Sequence, residues 1–76
     1  MSTPREPGVV RVWRLRRMHQ QTDAVLSERA DGGFDLSLRY NGREAYRRRW
    51  ATREEAVADA AARRADLERE GWASHW

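Results

Sequence analysis

Residues 46–57 read YRRRWATREEAV, and the period of the chain changes inside them. Tyr46, Arg48 and Trp50 alternate with Arg47 and Arg49, which is the two-residue period of a strand. From Thr52 onward the spacing is helical. Thr52 followed by Glu55 makes a capping box: the Thr hydroxyl accepts from the Glu55 N–H, and the Glu55 carboxylate accepts from the Thr52 N–H. A strand that runs straight into a capped helix fixes where that helix lies. It folds back over the face that carries Tyr46 and Trp50.

Upstream, the same alternation recurs. Val9 to Met18 reads as a first strand, with Trp13 and Leu15 on one face and Arg14 and Arg16 on the other. His19 to Thr22 reads as a polar loop. A second strand is expected from about Asp23 to Ala30, with Ala24 and Leu26 facing one way and Val25, Ser27 and Arg29 the other. Asp31-Gly32-Gly33 is a turn, and the third strand, from Phe34 to about Arg39, sets Phe34, Leu36 and Leu38 against Asp35, Ser37 and Arg39.

Asn41-Gly42 marks the hairpin into the fourth strand. A two-residue loop there pairs Tyr40 with Arg43 and puts Ala45, Arg47 and Arg49 opposite the core residues of the third strand. A one-residue slip turns every side chain to the other face. The aromatic pair therefore predicts a three-residue loop with a G1 bulge, Arg39 opposite Arg43, and Tyr46 and Trp50 on the Leu36 face.

Downstream, a helix is expected from Arg53 to Glu70, with Ala56, Val57, Ala60, Ala61, Arg64 and Leu67 in one stripe. The stem of Arg64 should lie on apolar surface with its head at the rim. Gly71 suits the left-handed position after the helix, and Trp72 can then touch Leu67. Residues 1–8 read as a disordered lead-in and 73–76 as a short tail. The expected fold is α+β: a four-stranded antiparallel meander sheet with one C-terminal helix packed on one face (ββββα), a single domain over 9–72.

Seventy-six residues without a cysteine exclude disulfide staples and thiolate metal sites. A domain of this size buries only about 60% of its unfolded surface. No apolar run approaches the roughly 20 residues that span a bilayer, and no signal-peptide apolar region is present. A cytoplasmic location is the expectation. All fifteen basic residues are arginine, a choice that GC-rich codon usage also favours. Their placement says more. Residues 1–50 carry a net +5 and residues 51–76 a net −2.

The outward strand positions collect Arg14, Arg16, Arg29, Arg39, Arg47 and Arg49 against one acid, Asp35. Like charges opposite one another are unfavourable, so a face this basic forgoes cross-strand pairing and calls for an anionic partner. A polyphosphate backbone supplies one, and these six arginines are the candidate nucleic-acid-binding residues. The outward positions hold no aromatic residue for base stacking, which favours duplex DNA over single strands. The competing reading is a protein-interaction or homodimerisation module that uses the open sheet face or an edge strand, with Trp76 as an anchor.

No catalytic constellation is present: neither His19, in a loop, nor His75, in the tail, has a Ser or Cys near it in nucleophile context, and the helix carboxylates read as ion pairs such as Asp59 with Arg63. No enzymatic activity, cofactor, metal or small-molecule substrate is expected. Arg48 lies between two aromatics on the inward face. It reads either as a cation–π filler or as part of an anion pocket at the helix N-terminus.

The segment from Phe34 to Arg64, with its Asn-Gly hairpin, basic last strand and WATREEAVADA, resembles the AP2-like and arm-type DNA-binding domains of phage integrases. The resemblance implies a sheet laid in the major groove with one helix behind it, and it makes Arg39, Arg47 and Arg49 groove-facing. Over VWRLRR, YNGREAYRRRWATREEAV and LEREGW the chain also resembles a group of short bacterial proteins, and that resemblance implies no function.

Overall fold

Alternation in the first two thirds of the chain produces four strands, β1 (Val9–Arg17), β2 (Gln20–Glu28), β3 (Phe34–Tyr40) and β4 (Arg43–Trp50), followed by one helix, α1 (Arg53–Arg69). The computed structural model describes residues 9–74, so the lead-in at 1–8, His75 and Trp76 lie outside the described residues. The strands form one antiparallel meander in the order β1-β2-β3-β4, and α1 covers one face of it.

The capping box forms as its spacing predicts. Thr52 Oγ1 accepts from the Glu55 N–H at 3.2 Å, and Glu55 accepts from the Thr52 N–H at 3.2 Å. At the far end Gly71 takes φ +98°, its N–H meets the Glu68 carbonyl, and the Trp72 N–H meets the Leu67 carbonyl. This is the Schellman closure. It swings the Trp72 ring into a cluster with Trp13, Leu15, Ala24, Leu36 and Ala60. Leu38, Tyr46, Trp50 and Leu67 pack around that cluster.

The chain does not fray after the helix. Ala73, expected in a tail, exchanges two backbone hydrogen bonds with Arg16 (2.8 and 2.9 Å) and extends the β1 edge by a single bridge. The first loop is also shorter than expected. Arg17 pairs with Gln20 across a turn of Met18 and His19, and Gln21 and Thr22 continue the ladder opposite Arg16 and Leu15. Thr22 is buried there, as suits a β-branched residue on a pleated surface.

The β3–β4 hairpin reaches the expected face by a different device. Tyr40 pairs with Arg43, so Asn41 and Gly42 form a two-residue turn, both at positive φ (50° and 85°). That is the type I′ geometry whose twist suits a hairpin. Parity is restored two residues later, where Arg39 pairs with Glu44 but Leu38 pairs with Tyr46. Ala45 is the extra residue of a bulge. Tyr46 and Trp50 therefore lie on the helix side, opposite Leu38 and Phe34, while Glu44 moves to the other side.

The helix is rotated from the expected stripe. Ala56 and Ala60 are buried, but Val57 is 41% exposed and Ala61 is exposed. The reason is polar. Tyr46 donates to Asp59 at 2.9 Å, Arg63 donates to the Tyr46 hydroxyl at 3.0 Å, and the Arg63 guanidinium lies over the Tyr46 ring at 4.4 Å. These contacts draw Asp59 and Arg63 down to the sheet and turn Val57 out. Arg63 also donates to Asp59 at i, i+4, and half-buried Arg64 pairs with Glu68.

Candidate nucleic-acid interface

With α1 on one side, the other face of the sheet carries no element of the described chain. Its side chains follow from register. One row across the four strands reads Arg14, Asp23, Arg39, Glu44; the next reads Arg11, Val25, Ser37, Arg47; a third reads Val9, Ser27, Asp35, Arg49. All six expected arginines, Arg14, Arg16, Arg29, Arg39, Arg47 and Arg49, lie on or at the end of this face, and Arg11 joins them. Arg39, Arg47 and Arg49, marked by the integrase-type resemblance, sit together on the β3–β4 ribbon.

The expected charge balance is corrected. Asp23 and Glu44 share the face with Asp35, so the first row alternates in sign and cross-strand pairing is not forgone. Arg14 forks onto Asp23 at 2.7 and 3.2 Å. Asp35 accepts from Arg47 at 2.9 Å and from Arg29 at 3.1 Å. Arg47 also reaches Glu44 at 3.2 Å, beside the Ser37 hydroxyl, and Arg29 reaches Asp31 at 3.3 Å. Asp23 could have been found from parity, since it alternates with Val25. Glu44 could not, because only the bulge at Ala45 puts it there.

Beneath these guanidinium groups the floor of the face is dry. Val25, Asp35 and Ser37 are each less than 9% exposed, roofed by arginine stems whose heads stay at the surface. The Asp35 carboxylate is held below the ordinary aspartate range, first by the Arg47 hydrogen bond and further by Arg29, against the opposing effect of burial. Asp31 is lowered as well, chiefly by the Gly33 N–H and at longer range by Arg49.

Arg14, Arg29 and Arg47 are thus committed to carboxylates of the chain. Arg39 and Arg49 make no ion pair among the described residues. Seven arginines still outnumber the four carboxylates on or at the end of the sheet face, Asp23, Asp31, Asp35 and Glu44. Every aromatic ring of the described strands faces α1 or the rim of its cleft. Arg48 is on that side too, exposed and stacked 4.1 Å over the Trp50 ring, the cation–π contact expected of it.

Nothing else among the described residues gathers as a reactive site. No three His, Asp or Glu residues converge to hold a metal, His19 stands exposed in the β1–β2 turn, and no helix is long and apolar enough to cross a membrane. Compared with known proteins, the chain matches no family model, no curated protein and no solved structure.

Proposed function

We propose that this chain is a small non-enzymatic module that lays its uncovered sheet face on nucleic acid, duplex DNA in preference to single strands. One observation carries the reading: an uncovered four-stranded face whose guanidinium groups exceed its carboxylates and whose committed arginines are already fixed in place. A phosphate meets Arg39 and Arg49 with no ion pair among the described residues to break, while the anchored Arg14, Arg29 and Arg47 hold the surrounding positive charge in place. In this scheme Arg14, Arg29 and Arg47 build the frame and the field. Arg39 and Arg49 make the direct contacts, with Arg16 and Arg11 at the β1 margin.

Duplex is favoured on two grounds. The face has no ring on which a base could stack. A two-stranded ribbon fits the major groove, about 12 Å wide, and adjacent strands lie about 4.8 Å apart; the β3–β4 ribbon then enters the groove while arginines of β1 reach the flanking phosphates. Titration of mixed-sequence duplex and single-stranded oligonucleotides at two salt concentrations tests this. If about four phosphates are neutralised, log K falls against log salt with a slope of about −4. Flat salt dependence, or tighter binding to single strands, contradicts it.

A second reading rests on β1. Val10 and Val12 are exposed on this edge strand, and Ala73 bridges only Arg16. Both edge strands carry four arginines and a bulge, at Val12 in β1 and at Ala45 in β4, features that discourage strand addition, but only β1 exposes valines. Self-association would therefore use β1. A dimer in light scattering that Val12→Lys dissociates, without salt-sensitive DNA affinity, selects this reading over the first.

A further inference from the structure

On the opposite layer of the molecule, a cleft of about 410 Å³ opens between the last two turns of α1 and the β3–β4 hairpin. Its walls are Tyr40, Tyr46 and Trp72, with Leu38, Ala45 and Leu67 between them and Asp66 and Glu70 at the rim. Tyr40 meets Trp72 edge to face, with centroids 6.2 Å apart and planes at 66°. Two of the three rings already hold cations from this chain: Arg17 lies 5.9 Å from the Trp72 centroid and Arg63 4.4 Å from that of Tyr46. The third ring, Tyr40, is 39% exposed and holds none among the described residues.

We propose that this cleft binds a small organic cation of the alkylated-ammonium class against Tyr40 and Trp72. The choice of cation follows from the acceptors. A guanidinium brings five N–H donors, more than the Glu70 carboxylate alone can satisfy, and the neighbouring acceptors already serve the chain's own arginines: the Glu70 carbonyl serves Arg17, the Tyr46 hydroxyl and Asp59 serve Arg63, and Asp66 serves Arg69. A quaternary ammonium has no N–H to satisfy. It needs π faces and a carboxylate within a few ångströms, and the Glu70 carboxylate has no hydrogen bond or ion pair among the described residues. Of the two resident cations, Arg63 is matched by Asp59 at 3.3 Å, whereas Arg17 has only the Glu70 carbonyl as acceptor among the described residues, at 2.9 Å, so the Glu70 carboxylate offsets Arg17 as well as the guest.

The test is a titration of the full chain with tetramethylammonium chloride, followed by amide and indole N–H resonances. Sodium chloride at equal ionic strength and tert-butanol, the neutral isostere, serve as controls. Saturable movement of the Trp72 indole and of the Leu67 and Glu70 amides is expected, with a dissociation constant on the order of a few millimolar. Tyr40→Leu should weaken it by roughly tenfold. Glu70→Gln, which touches no core residue, should weaken it by about threefold, and it decides the matter should Tyr40→Leu not fold. Equal movement with tert-butanol, drift that never saturates, or unchanged affinity in the folded variants overturns the proposal.

Discussion

Arg47 on β4 donates to the Asp35 carboxylate on β3 at 2.9 Å, across the sheet face that no element of the described chain covers. Arg29 donates to the same oxygen from the other side, so one buried carboxylate pins two guanidinium groups. Asp35 is the charge on which the basic face is built. Because its folded pKa lies below the unfolded value of about 3.9, its contribution is fully present above that value and is lost as pH falls through the lower, folded one. Asp35→Asn should lower stability at neutral pH and flatten the acid limb of the stability profile below about pH 4. Urea unfolding midpoints between pH 2 and 7 check both.

On the helix side, Trp13 donates its indole N–H to the Ala60 carbonyl at 2.9 Å, tying β1 to the middle of α1 across 47 residues of sequence. Both groups are buried. Trp13→Phe removes this bond and leaves a void, while the Ala60 carbonyl keeps its helical bond from the Arg64 N–H, so a loss of about 1–3 kcal/mol is expected. Denaturant unfolding with an unchanged m-value measures it.

Ala45 is a length correction, and deletion tests that directly. Without it the Asn41-Gly42 turn feeds a regular ladder in which Tyr40 pairs with Arg43, Arg39 with Glu44 and Leu38 with Tyr46. The deleted chain should fold with Tyr46 still against Asp59, and cross-strand nuclear Overhauser contacts between Leu38 and Tyr46 should persist. Loss of those contacts, or an unfolded chain, would show that the bulge does more than set parity.

The strands and the capped helix were legible because each leaves a local period or cap in the sequence, and the Gly71-Trp72 closure is a local signal too. The hairpin shows the limit. The demand that Tyr46 and Trp50 share the Leu36 face identifies the side, but a turn bulge and a strand bulge satisfy it equally; Asn41-Gly42 favours the two-residue type I′ turn that forms, and only the compensating bulge at Ala45 leaves no local signal. Glu44 changed sides with that choice. Val57 misled for another reason: hydrophobic spacing placed it inward, whereas the Tyr46–Asp59–Arg63 contacts, which join residues 13 and 17 apart, set the rotation of α1. Pairing across the basic face was half visible, since Asp23 already alternated with Val25.

The direct test of the basic face is an arginine Nε–H spectrum of the chain titrated with a mixed-sequence DNA duplex at low salt. The account predicts that Arg39 and Arg49 shift first and furthest, that Arg14, Arg29 and Arg47 shift less while keeping their carboxylate partners, and that Arg53 and Arg64 on α1 stay where they are. Shifts led by Arg53 and Arg64, or a spectrum unmoved by duplex, would contradict it.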